Sequence, residues 1–120
     1  MNKVIKGEDK RIYLTVSKDG ELLNLNDFDN VICFIVDSSN QVVAQFSREP
    51  LSGYLQMEQE GLSVLIVNLK REITRDLKRD NYKFEVLTKK VDSDFPDQLK
   101  SIGIVPAFQL ITPSNEAANL

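Results

Sequence analysis

The chain has no histidine, no tryptophan and a single cysteine. Histidine is the side chain that most often serves as general base, as partner to a nucleophile or as transition-metal ligand. Without it, the common catalytic triads and zinc sites have no members to recruit. A lone cysteine, Cys33, excludes an intrachain disulfide. It sits within the apolar run Val31-Ile32-Cys33-Phe34-Ile35-Val36. A nucleophilic thiolate needs an electropositive, partly exposed setting, so a buried structural thiol is expected. No nucleophile motif and no phosphate loop are present. No apolar stretch approaches a membrane span. The segment Met1-Asn2-Lys3-Val4-Ile5-Lys6-Gly7 turns charged too early for a signal peptide. These absences set the expectation of a non-enzymatic protein with no cofactor and no membrane association, made in a reducing cytoplasm.

What is present fits one globular domain. The length is 120 residues, with 42% apolar and 28% charged residues. A chain of this size buries roughly two-thirds of its unfolded surface and needs no metal or disulfide to fold. Fifteen basic residues against eighteen acidic ones leave a net charge of −3. That argues against direct nucleic-acid binding, which needs a basic footprint.

The apolar pattern has period two in several short segments. At 10–17, Ile12, Leu14 and Val16 alternate with Tyr13, Thr15 and Ser17, the mark of a half-buried strand. Asp19-Gly20 tolerates the positive φ of a tight hairpin, and 21–25 returns as a short strand. The run 31–36 is apolar at every position and rich in β-branched residues, which predicts a central strand. Asp37-Ser38-Ser39-Asn40 predicts a turn, and 42–46 the second arm of a hairpin. Segment 54–59 predicts a strand with Leu55 and Met57 inward. Segment 62–69 predicts another, with Leu62, Val64 and Ile66 on one face. Ile73 and Leu77 lie four apart among charges, which suits one or two helical turns over 70–79. Tyr82, Phe84 and Val86 alternate again. The last extended segment, 102–112, holds Pro106, which implies an edge position, a bend or a break. Seven to eight short strands at near-regular spacing predict an all-β domain, an Ig-like antiparallel sandwich of two sheets, over 1–112. Residues 113–120 read as a flexible tail.

The order of these pieces resembles the Ig-like modules of tailed-phage virion proteins, such as the N-terminal domains of baseplate upper proteins and small capsid auxiliary proteins. The likeness runs through Ile12-Tyr13-Leu14-Thr15-Val16, the turn Lys18-Asp19-Gly20, and Leu22-Leu23-Asn24-Leu25. It continues through the strand pair at 31–37 and 42–47, the helical turn Ile73-Thr74-Arg75-Asp76-Leu77, and the Tyr-led strand Tyr82-Lys83-Phe84-Glu85-Val86. The sequence departs from the pattern before Tyr82. There the modules usually carry glycine, and this chain carries Asp80-Asn81. The resemblance implies a structural component of a virus particle, working through contacts with capsid or tail subunits or with its own copies. A stand-alone domain suits a capsid auxiliary (decoration) protein better than a baseplate part. A carbohydrate or host-surface binding module is the alternative, lowered by the absence of tryptophan.

Candidate functional residues are few. Asp92, Asp94 and Asp97 are alternate carboxylates of the kind that chelate calcium. They lack the glycine and distal glutamate of a known calcium loop, so a solvated acidic loop is the expectation. Glu58 and Glu60 would share one strand face and point to solvent rather than flank a cleft. Tyr82, after a turn and at the head of a strand, matches a tyrosine corner, a folding role. The interface candidates are Ile32, Phe34 and Val36 on the second face of the apolar strand, Arg71, Arg75 and Arg79 in the basic helical segment, and Leu120 at the end of the tail. A large uncovered apolar face usually marks an interface; cover by the 91–100 loop or by the termini is the equal alternative for the face of the apolar strand. No aromatic interleaves with the basic residues, so base stacking is not expected.

Overall fold

The computed structural model describes residues 2–90 and 99–111. In chain order they form β1 (Asn2–Ile5), β2 (Lys10–Thr15), β3 (Ser17–Lys18), β4 (Glu21–Leu22), a 3₁₀ turn (Leu25–Asp27), β5 (Asn30–Val36), β6 (Val42–Ser47), β7 (Leu55–Gln56), β8 (Glu58–Glu60), β9 (Val64–Leu69), α1 (Arg71–Asp76), β10 (Asn81–Lys89) and β11 (Leu99–Ile111). The class is all-β. One sheet has the order β1-β11-β10-β5-β6-β7, a second β2-β9-β8, and β3-β4 form a small ribbon.

Alternation accounts for the core. Along β10, Tyr82, Phe84, Val86 and Thr88 are buried while Lys83 is exposed. Val31, Cys33 and Ile35 of β5 join Tyr82, Phe84 and Phe108 from the larger sheet in one cluster with Ile12, Leu65, Val67 and Leu69 from the smaller. Tyr82 and Phe108 stack with ring centroids 5.0 Å apart, and Phe84 meets Phe108 edge-on at 6.3 Å. Such ring pairs add about 0.5–1.5 kcal/mol each beyond the area they bury. The β3–β4 ribbon turns at Asp19 and Gly20, both at positive φ, as the dipeptide predicts.

Several expectations are corrected. The pairing is not wholly antiparallel: β1 runs parallel to β11, and β7 parallel to β6. β1 itself was not predicted, because Lys3 and Gly7 mask its short apolar pair Val4-Ile5. Segment 54–59 is no single strand. β7 belongs to the larger sheet and β8 to the smaller, and the chain crosses between them at Met57. Met57 is therefore buried, whereas Leu55, expected inward, is 46% exposed on the sheet edge. In β9 Val64 and Ile66 share one face, as predicted, and the inward face is Leu65, Val67 and Leu69. Val64 and Ile66 make the outer face apolar too, so only Asn68 marks it as the one turned away from the core. Pro106 is borne out as an edge residue: β1 covers β11 only from Phe108 on, and β11 runs unbroken through Pro106 with a register shift opposite Tyr82 and Lys83.

Candidate functional site

The helical segment 70–79 is tied to the loop after β1 by long-range polar contacts. Lys70, the N-cap of α1, gives no side-chain cap bond. Asp9, from the loop after β1, takes its place: its Oδ1 accepts from the Arg71 amide at 2.6 Å, and its Oδ2 lies 3.7 Å from the Arg71 guanidinium. A carboxylate at that end also suits the helix dipole. Thr74 is fully buried; its hydroxyl accepts from the Gly7 amide and donates to the Glu8 carbonyl. These contacts fix α1 against the chain 66 residues away.

After α1 the chain turns sharply into β10. The Tyr82 hydroxyl donates to the Lys78 carbonyl at 2.6 Å. Burial, and then the nearby charge of Asp80, push the Tyr82 hydroxyl above its ordinary pKa. Asp80 binds the neighbouring 37–40 turn, accepting from the Ser38 hydroxyl at 2.7 Å and the Ser38 amide at 3.2 Å, and from the Asn81 amide at 2.7 Å. The Ser38 hydroxyl and these two amides hold the Asp80 carboxyl below its ordinary pKa.

The result is a cleft of about 630 Å³ between α1 and the β6–β7 edge. Its apolar lining includes Val43, Leu55, Ile73 and Leu77, and its carboxylates are Asp37, Glu72, Asp76 and Asp80 against the single cation Lys78. A second, shallow cleft of about 690 Å³ is lined by Lys10, Arg11, Lys70 and Arg71, with Asp9 as well; Glu72 lines both clefts. The Arg11 guanidinium is held by Asn68 Oδ1 at 2.9 Å.

The interface candidates fall into three groups. Ile32 (2% exposed) and Val36 (8%) are covered by the chain itself, and of that face only Phe34 is half-buried. Of the two covers the sequence left open for this face, a neighbouring subunit or the chain itself, the burial of Ile32 and Val36 is that of the chain itself. Arg71 and Arg75 are exposed on α1, and Arg79 is exposed in the turn after it. Arg75 sits 3.8 Å from Asp76, a weak surface pair. Leu120 and the tail, like Asp92, Asp94 and Asp97, lie outside the described residues. Among the described residues, no group of three or more His, Cys, Asp or Glu side chains is placed to hold a metal ion. Glu58 and Glu60 are both exposed on β8. The Cys33 thiol is fully buried, and burial pushes its pKa up to about 12.

Exposed large apolar residues occur instead at the two edges of the larger sheet, which the sequence did not single out. Val42, Val43 and Leu55 lie at one end and Leu99, Ile104 and Val105 at the other, while Tyr13, Leu22, Leu51 and Leu62 are exposed elsewhere. Leu55 and Val105 each sit in a pattern that fits an inward position equally well, so only the pairing order reveals them as edge residues. No family model, curated protein or solved structure matches the chain.

Proposed function

We propose that the chain is a non-enzymatic Ig-like module that works through subunit contacts in a tailed-phage virion, best placed as a capsid auxiliary protein, with a baseplate or tail position as the alternative. Strand order carries the Ig-like part. Read as Ig strands, β2-β9-β8 correspond to B-E-D, and β11-β10-β5-β6 to G-F-C-C′, with β1 as the strand parallel to G. Tyr82 then stands at the head of strand F, with its hydroxyl bonded back to the E–F corner, where the tyrosine corner belongs. Phe84, two residues on, occupies the position of the second disulfide cysteine, and it is buried in the cluster shared with Ile12, Leu65 and Val67 of the smaller sheet. The virion reading rests on the order of elements in the sequence. The exposed apolar residues at the sheet edges and the charged clefts beside α1 suit it, because an assembly protein acts by burying such surface against neighbours.

Co-sedimentation of the purified protein with tailed-phage capsids and, separately, with tails tests this reading. Saturable binding to capsids supports the auxiliary role, and binding only to tails moves the protein there. Tyr13, 57% exposed on the outer side of β2, offers a ring to a sugar and favours the second reading, a glycan-binding module. Binding to a glycan array with no binding to either particle would replace the first reading by the second.

A further inference from the structure

The geometry points to a two-fold symmetric homodimer closed across α1, in which the acidic cleft of each copy receives the basic shoulder of the other. The two surfaces are opposite in sign and adjacent. On one flank of α1, Asp37, Asp76 and Asp80 outnumber Lys78. On the other, Lys10, Arg11, Lys70 and Arg71 outnumber Asp9. Glu72 lines both clefts, so the two patches meet at the helix. Adjacent patches of opposite charge are self-complementary under a two-fold axis between them: each copy's acid meets its partner's base, twice, and the contact closes. The acidic flank also offers apolar surface to bury, since Val43 is 37% and Leu55 46% exposed beside it. Because α1 is tied to the first loop through Thr74 and Asp9, both patches are held on a fixed frame and little side-chain ordering is needed on association. The dimer goes beyond the virion reading and does not depend on it.

The test is sedimentation equilibrium of the whole chain at about 100 µM, a concentration that reveals even a weak dimer. The expected species at low salt is about 27 kDa, twice 13.6 kDa. It should dissociate to the monomer as ionic strength rises to about 0.5 M, because screening weakens exposed charge pairs. Asp76→Lys and Arg71→Glu, each checked for an unchanged far-UV spectrum, should each weaken the dimer at least about tenfold. An equimolar mixture of the two should form the heterodimer, and the double variant should dimerise with itself, since both restore opposite charges. A monomer at low salt, a dimer indifferent to either reversal, or a mass above two copies would overturn the proposal. Failure here leaves the capsid-binding experiment unaffected, so the two readings are separable.

Discussion

Tyr82→Phe isolates one hydrogen bond and tests the corner that positions α1. The ring is almost wholly buried and stacks on Phe108 at 5.0 Å, and phenylalanine keeps both features. What is lost is the 2.6 Å bond to the Lys78 carbonyl. Lys78 is exposed, so its freed carbonyl can take up water, and the cost should stay near the net value of a neutral hydrogen bond, about 1 kcal/mol. At about 2.1 cal/mol/K per residue, 120 residues give an unfolding entropy near 250 cal/mol/K, so the midpoint should fall by about 4 °C. Urea and thermal unfolding followed by far-UV circular dichroism measure both. Tyr13→Phe, at an exposed ring, is the control and should change stability by less than about 0.5 kcal/mol. The pH dependence adds a second requirement. The folded-state pKa of Tyr82 is raised, so its contribution is complete below the unfolded value near 10 and is lost as pH rises through the folded value. The stability gap between wild type and Tyr82→Phe should therefore narrow above about pH 10, while other titrations cancel in the difference. A variant as stable as wild type at pH 7, or a gap that widens with pH, would refute the reasoning.

Arg48 ties the 3₁₀ turn to β8: its guanidinium donates to the carbonyls of Leu25 (2.6 Å) and Phe28 (2.7 Å) and to Gln59 Oε1 (2.9 Å), with its side chain only 13% exposed. Arg48→Met should cost about 3 kcal/mol by urea unfolding and speed amide exchange at 25–28, since charge-assisted bonds to a buried carbonyl are lost. The Cys33 thiol, raised to about 12, should label with iodoacetamide at pH 8 at least about a thousandfold more slowly in the folded protein than in urea; mass spectrometry over time reads this. Ser47 Oγ is buried without a hydrogen-bond partner among the described residues, so Ser47→Ala should leave stability unchanged or raise it by about 1 kcal/mol in the same urea assay.

How much of this was legible in the sequence depends on how many layers of information each feature needs. The central strand 31–36, the Asp19-Gly20 hairpin and the alternation Tyr82-Phe84-Val86 are local patterns, and the structure carries all three. The helical turn is local as well: Ile73 and Leu77 predict it, although Thr74, between them, is the residue most deeply buried. In β9 the parity signal is weak, since Val64 and Ile66 face away from the core and only Asn68 on that face is polar. Whether an apolar residue lies at an edge is set by which strands pair, a long-range property. That is why Leu55 was expected inward and proved exposed, and why the cover over Ile32 could not be read from the sequence. The two charged clefts were half legible. Arg71 stood out as part of a basic segment, but the acidic flank joins residues from the 37–40 turn to others from α1 and the turn after it, and only folding brings them together.

The sheet edges explain why the clefts, rather than strand addition, are the surfaces to watch. An open edge recruits another strand when it offers a long, regular row of backbone donors and acceptors. At one edge β7 has two residues, too few for a ladder. At the other, β1 covers β11 only from Phe108 to Ile111, leaving 99–106 open among the described residues. That stretch is irregular: Pro106 supplies no N–H, Gly103 sits at φ 154°, and the pairing with β10 shifts register twice. Bulges and proline twist an edge and interrupt its bonding, as natural sheets do to resist pairing with other chains. With both edges of the larger sheet blunted, contact between copies through that sheet falls to side chains. The side chains that combine exposure, complementary charge and a rigid support are those on the two flanks of α1.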